Sequence, residues 1–169
     1  GIDDIIFAVG YKGGMVEEYF GDGSRFGIRA RYAYEEELLG TAGAIKNAGK
    51  YVTDEQFFVL NGDTFYQMDF GDLSRIQQEK NLEMALVLRG VPDISRYGAA
   101  RLTDGLLTAF NEKNGNTGAG TINGGVYLMK RALLDEIPEG KVSLENECIP
   151  RWMQEGKTSR RHRKWWLFY

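Results

Sequence analysis

The sequence predicts a three-layer α/β domain built on a mixed, mostly parallel sheet. Three observations carry this. Strand-like and helix-like segments alternate along the chain; the run Phe57-Phe58-Val59-Leu60 is apolar at every position, as a strand buried on both faces requires; and two short strand-like segments around Asp104-Gly105 add a hairpin late in the chain.

Taken in order, Ile5 to Val9 form a short apolar run ending at Gly10, after which Met15, Val16, Tyr19 and Phe20 recur at helical spacing. Gly21-Asp22-Gly23 stops that helix, and Ile28 to Tyr34 alternates apolar with charged residues up to the acidic run Glu35 to Glu37, read as an exposed face. Thr41 to Lys50, rich in alanine, predicts a second helix. Gln56 to Asn61 predicts a buried parallel strand that stops at Asn61-Gly62-Asp63. Leu73 to Lys80 reads as a helix capped by Asp69 and Asp72, and Glu83 to Arg89 as a strand. The hairpin falls between Tyr97 and Leu107. A last strand, Gly125 to Met129, precedes a helix beginning near Arg131 and closed by Pro138 and Gly140.

With 169 residues, 43% hydrophobic and 27% charged, and with no repeat or linker-like tract, residues 1–157 read as one domain. One cysteine and one histidine, Cys148 and His162, exclude an internal disulfide and a zinc site of those ligands, so a metal would be held through carboxylates. No apolar run reaches the length of a membrane span, and the default expectation is a cytoplasmic protein without a membrane partner. The net charge of −3 hides a basic, aromatic end, residues 158–169. A nucleic-acid arm is one reading of it. The reading preferred is an out-of-frame or damaged gene end, because composition changes abruptly after Lys157.

In an open α/β sheet ligands bind at the carboxyl ends of strands. Asp63 stands at such an end, behind a glycine that lets a ligand reach the backbone, and its carboxylate suits Mg2+. Asn61 to Thr64 read equally well as a plain polar turn.

Five segments then occur in register: Leu39-Gly40-Thr41-Ala42-Gly43, Leu60-Asn61-Gly62-Asp63-Thr64, Arg96-Tyr97-Gly98, Glu112-Lys113 and Asn123-Gly124-Gly125-Val126-Tyr127. In order and spacing the chain resembles the sugar-1-phosphate nucleotidyltransferases, most of all their heptose- and mannose-1-phosphate guanylyltransferase branch, from about Ile2 to Lys157. The resemblance implies a Rossmann-like nucleotidyltransferase domain that joins an NTP to a sugar 1-phosphate and releases pyrophosphate. It implies Mg2+ on Asp63, Gly40 and Thr41 beside the nucleobase and ribose, and Gly98 making room for the sugar ring. Glu112 would accept sugar hydroxyls, Lys113 would meet the sugar phosphate, and Asn123 and Gly124 would complete the sugar pocket. Read without the resemblance, Glu112 and Lys113 also fit a solvated ion pair, and Tyr97 and Tyr127 fit core or rim aromatics.

Members of the family begin with a strand and a glycine-rich phosphate loop, and carry a late acidic metal ligand in an Asp-Ile-Gly-type motif; neither string is present. The expectation is therefore an incomplete domain with weak or no turnover. It would also be prone to self-association through an exposed sheet edge.

Overall fold

The computed structural model describes residues 1–95, 99–103, 106–111, 117–158 and 165–168. The alternation of strands and helices is as the sequence predicts. β1 (Asp4–Val9), α1 (Gly13–Phe20) and β2 (Arg29–Tyr34) come first, followed by α2 (Gly40–Gly49), β3 (Gln56–Leu60) and α3 (Phe70–Lys80). β4 (Met84–Val91), the hairpin strands β5 (Ala99–Thr103) and β6 (Leu106–Asn111), and the long β7 (Gly120–Lys130) complete the strands foreseen.

Four elements differ from expectation. The helix near Arg131 is a 3₁₀ helix over Arg131–Glu136. A π-helical turn, Leu144–Cys148, leads directly into an unforeseen α4 (Ile149–Thr158), whose second residue is Pro150. Trp165–Phe168 forms β8 although no element is expected there; the basic run before it obscures the strand signal of four apolar residues in succession.

β1 and β2 pair in parallel as a sheet of their own, and the other six strands lie in the order β3-β7-β4-β8-β6-β5. Within that sheet β7 runs antiparallel to both β3 and β4, while β8 is parallel to β4. β5 and β6 form an antiparallel hairpin, with β6 also antiparallel to β8 and β5 touching β7. β3, β4, β5 and β8 thus share one direction, and β6 and β7 oppose it. The placement of β3 is a correction. It is not a fully buried parallel strand but a half-buried one at the end of the sheet, hydrogen-bonded to the antiparallel β7.

Both faces of β3 are nevertheless covered over Phe57–Val59, which is why these positions are apolar in succession. Phe57 and Val59 point to the larger core with Met84, Leu86, Leu88, Tyr127 and Met129. Phe58 points the other way, to Ala85, Val87, Val126, Leu128 and the α3 residue Leu73. This period-2 division puts α2, α4 and the turns on one side of the sheet and α3 on the other, giving three layers. Asp69 caps α3 as expected, its carboxylate accepting from the Gly71 N–H at 2.7 Å, although the helix starts at Phe70 and not Leu73. Asp72 instead takes an ion pair from Arg75.

The small sheet is tied to the large one through α2, which packs against β1 and β2 on one side and the 3₁₀ and π turns on the other. Arg31 reinforces the join. It grips both carboxylate oxygens of Asp4 at 2.8 Å and donates to the Tyr51 carbonyl just beyond α2. Among the described residues, no helix is long and apolar enough to cross a membrane.

Candidate active site

β3 delivers Asn61-Gly62-Asp63 to the edge of the core. The Asn61 N–H donates to the Gly125 carbonyl at 2.8 Å, which fastens this turn to β7. Beyond it Asp63 is exposed, with one carboxylate oxygen accepting from the Thr64 hydroxyl at 3.2 Å. Among the described residues no cluster of three metal-ligating side chains surrounds it. A lone carboxylate at a strand end suits a cation that takes most of its ligands from water and phosphate.

Opposite that turn β7 bulges. Leu86 of β4 pairs with Tyr127 but Leu88 pairs with Asn123, so one β4 residue, Val87, faces three of β7. Glycines make this possible. A Cβ on Gly124 would lie 2.9 Å from the Val87 carbonyl oxygen, and Gly125 has φ of +71°. Asn123 stiffens the bulge through its side-chain oxygen, which accepts from the Gly125 N–H at 2.9 Å. Its side-chain nitrogen donates to the Tyr127 hydroxyl.

Gly40 and Thr41 open α2, but the groups they crowd are protein groups. Gly40 has φ of +69°, and a Cβ there would meet the Val142 carbonyl oxygen at 2.6 Å. That same carbonyl accepts from Ala42 and Gly43 at 3.0 and 3.3 Å, so the segment around Val142 occupies the donors that an anion would otherwise find at this helix start. Thr41 remains exposed. Its hydroxyl accepts from the Leu144 N–H at 2.7 Å and donates to Glu145 at 2.9 Å.

Glu145 joins these parts. Its other oxygen accepts from the Tyr127 hydroxyl at 2.7 Å, so that a continuous chain of hydrogen bonds runs from Thr41 through Glu145 and Tyr127 to Asn123. Burial, and then the charge of Glu145, push the Tyr127 hydroxyl well above the ordinary tyrosine range, and it stays a donor. Asp63, Asn123, Gly124, Gly40 and Thr41 therefore belong to one connected region. Gly98, Glu112 and Lys113 lie outside the described residues.

Neither Glu145 nor the hydroxyl of Tyr127 is singled out by the sequence. Tyr127 does pack its ring in the core, but its hydroxyl is engaged, not free. The Ser143 hydroxyl accepts from the Asn146 N–H and caps the turn that carries Glu145, but nothing in the chain around Glu145 points to Thr41, 104 residues away. Glu35, read as part of an exposed face, accepts from the Leu39 N–H at 3.0 Å and braces the approach to α2.

An open groove of about 950 Å³ lies elsewhere, between Gly1-Ile2, Phe58 and the start of α3. No candidate residue lines it, and its one carboxylate, Asp69, is spent as a helix cap. The described candidate residues lie instead at the β3 and β7 ends and at the start of α2.

The nucleotidyl transferase family profile matches residues 1–166. The chain belongs to that family. Among its relatives is the D-glycero-alpha-D-manno-heptose 1-phosphate guanylyltransferase of Aneurinibacillus thermoaerophilus, 36% identical over 152 residues covering 89% of this chain. A mannose-1-phosphate guanylyltransferase of Mycobacterium tuberculosis is 32% identical over 158 residues. The chain spans 65% of the first protein and 44% of the second. In three dimensions this family member resembles HddC from Yersinia pseudotuberculosis, with a TM-score of 0.80 and 28% identity over 99% of this chain and 70% of that one. A second structure of HddC, complexed with GMP-PN, matches with a TM-score of 0.77.

Proposed function

We propose that this chain carries the centre of a nucleotidyl transfer from an NTP, GTP in the first instance, to a sugar 1-phosphate, giving an NDP-sugar and pyrophosphate. The observation that carries the reading is the junction of the Asn61-Gly62-Asp63 turn with the β7 bulge, linked onward to Thr41, in a member of this family. The guanine base is taken from the relatives, which are guanylyltransferases.

In the proposed reaction an oxygen of the sugar phosphate attacks the α-phosphorus, the bond to the bridging oxygen of the β-phosphate breaks, and pyrophosphate leaves with that electron pair. Mg2+, when bound, neutralises charge on the phosphate oxygens. Asp63 would hold it, being exposed, acidic and at the carboxyl end of β3. The protein's own part is positioning. Gly40 and Thr41 would border the base and ribose, Asn123 and Gly124 the sugar. Gly98 would leave space for the ring, Glu112 would accept from sugar hydroxyls, and Lys113 would meet the phosphate as a point charge. The bulge leaves Asn123 one N–H and one lone pair for a sugar hydroxyl, since its other valences are used internally.

The test is pyrophosphate release with Mg2+, GTP and mannose or heptose 1-phosphate, against Asp63→Ala. Asp63 is exposed and at a turn, so the variant is expected to fold normally while losing release. Release that survives the substitution would remove Asp63 from the reaction. Saturable sugar-phosphate binding with no release would replace the transfer reading with that of a non-catalytic binding module.

A further inference from the structure

An ionised carboxylate only accepts hydrogen bonds, and this gives the chain from Thr41 to Asn123 a direction. Both oxygens of Glu145 are engaged, by hydroxyls from two distant elements, Thr41 of α2 and Tyr127 of β7. Each hydroxyl has a single proton and must spend it on Glu145. The Tyr127 oxygen can then only accept, so the group facing it has to be a donor. That group is the side-chain nitrogen of Asn123. Its carbonyl oxygen accepts from the Gly125 N–H, inside the bulge, which favours the same orientation.

A carboxamide is nearly symmetric in shape, and packing alone does not decide which end is which. Here two partners agree: the Gly125 N–H calls for the carbonyl end on one side, and the charge of Glu145, acting through Tyr127, calls for the amide end on the other. We propose that Glu145 is a positioning residue that, together with the Gly125 N–H, holds the orientation of the Asn123 carboxamide through Tyr127, with Thr41 and the Leu144 N–H anchoring the network to the start of α2. What Asn123 then offers a ligand rests on the transfer reading; the orientation itself does not.

The geometry favours a rigid relay. Tyr127 is fully buried in the larger core and cannot swing away, and the Gly124-Gly125 bulge holds Asn123 beside it. Burial and the Glu145 charge keep the hydroxyl protonated across the working pH range, which supports the assignment.

The experiment uses the whole chain, labelled with nitrogen-15, and reads the side-chain amide protons of Asn123, assigned by their loss in Asn123→Asp. In the native protein the two protons are expected to be well separated and slow to exchange. In Tyr127→Phe, Glu145→Ala and the milder Glu145→Gln, whose amide can donate as well as accept, they are expected to draw together and exchange roughly tenfold faster. Unchanged amide signals in Glu145→Gln and Glu145→Ala would overturn the proposal; should Glu145→Ala fail to fold, Glu145→Gln decides.

A second readout is calorimetric titration with mannose 1-phosphate in the presence of GTP and Mg2+. Glu145→Ala and Asn123→Ala are each expected to weaken binding about tenfold, and the double variant no further, because one acts through the other. Additive losses would refute that link. If the native chain binds no sugar phosphate, the transfer reading falls, and the amide signals alone settle the positioning role.

Discussion

Replacing glycine by alanine inside a helix ordinarily stabilises it by up to about 1 kcal/mol. At Gly43, in the first half of α2, the opposite is expected. A Cβ there would stand 2.4 Å from the Gly140 carbonyl oxygen, and the backbone carrying that oxygen must retreat by roughly 1 Å to reach ordinary contact. The same short segment supplies three hydrogen bonds to α2 and its approach: Val142 accepts from Ala42 and Gly43 and donates to Leu39. Weakening all three, at about 1 kcal/mol each, offsets the helix gain and leaves a net loss near ~2 kcal/mol. For a domain of this size that is a drop of about 4–8 °C in Tm. Urea unfolding followed by tryptophan fluorescence can measure it, with Gly14→Ala in α1 as the internal control, since nothing lies within 4 Å of a Cβ there. Gly43→Ala equal to or more stable than the native chain would refute the reasoning.

Other substitutions probe separate parts. Asp69→Ala removes the cap of α3 and is expected to lower stability by about 1 kcal/mol in the same urea titration. Leu86→Ala opens a cavity in the larger core at a fully buried position and is expected to cost about 2–5 kcal/mol. Burial pushes the Cys148 thiol up, so little thiolate forms near neutral pH; thiol reagents are expected to label it only as the chain unfolds. A thiol held above its unfolded pKa contributes stability below about pH 8.5, and that contribution is lost as pH rises through the folded value. The unpaired side of β3, where Leu60 is 53% exposed, is expected to promote self-association, and light scattering that reports a monomer at high concentration would count against it.

The alternation of strands and helices was legible because β4 and β7 divide their side chains strictly between two cores. β3 shows where legibility stops. Its apolar run correctly announces cover on both faces, but side-chain pattern carries no record of which strand lies alongside or which way it runs. The start of β7 was misplaced because Asn123-Gly124-Gly125 has the composition of a loop, and only the close approach of Val87 shows it to be a bulge within a strand. At the candidate site, Asp63 draws notice in the sequence through its place after an apolar run. Glu145 does not, because its partners are brought to it by folding and its own neighbourhood in the chain carries no signal of them.

β7 is also synthesised well after the strands β3 and β4 that it joins. Gln56 must wait for Lys130, and Met84 for Met129, before either β3 or β4 gains the neighbour that holds it. Contacts so remote in sequence close large loops, which slows folding and leaves the apolar strands β3 and β4 without that partner while the intervening chain is still being made. Growth on the ribosome therefore has a vulnerable interval, from the emergence of β3 until that of β7, during which holdase chaperones would be of most use to this protein.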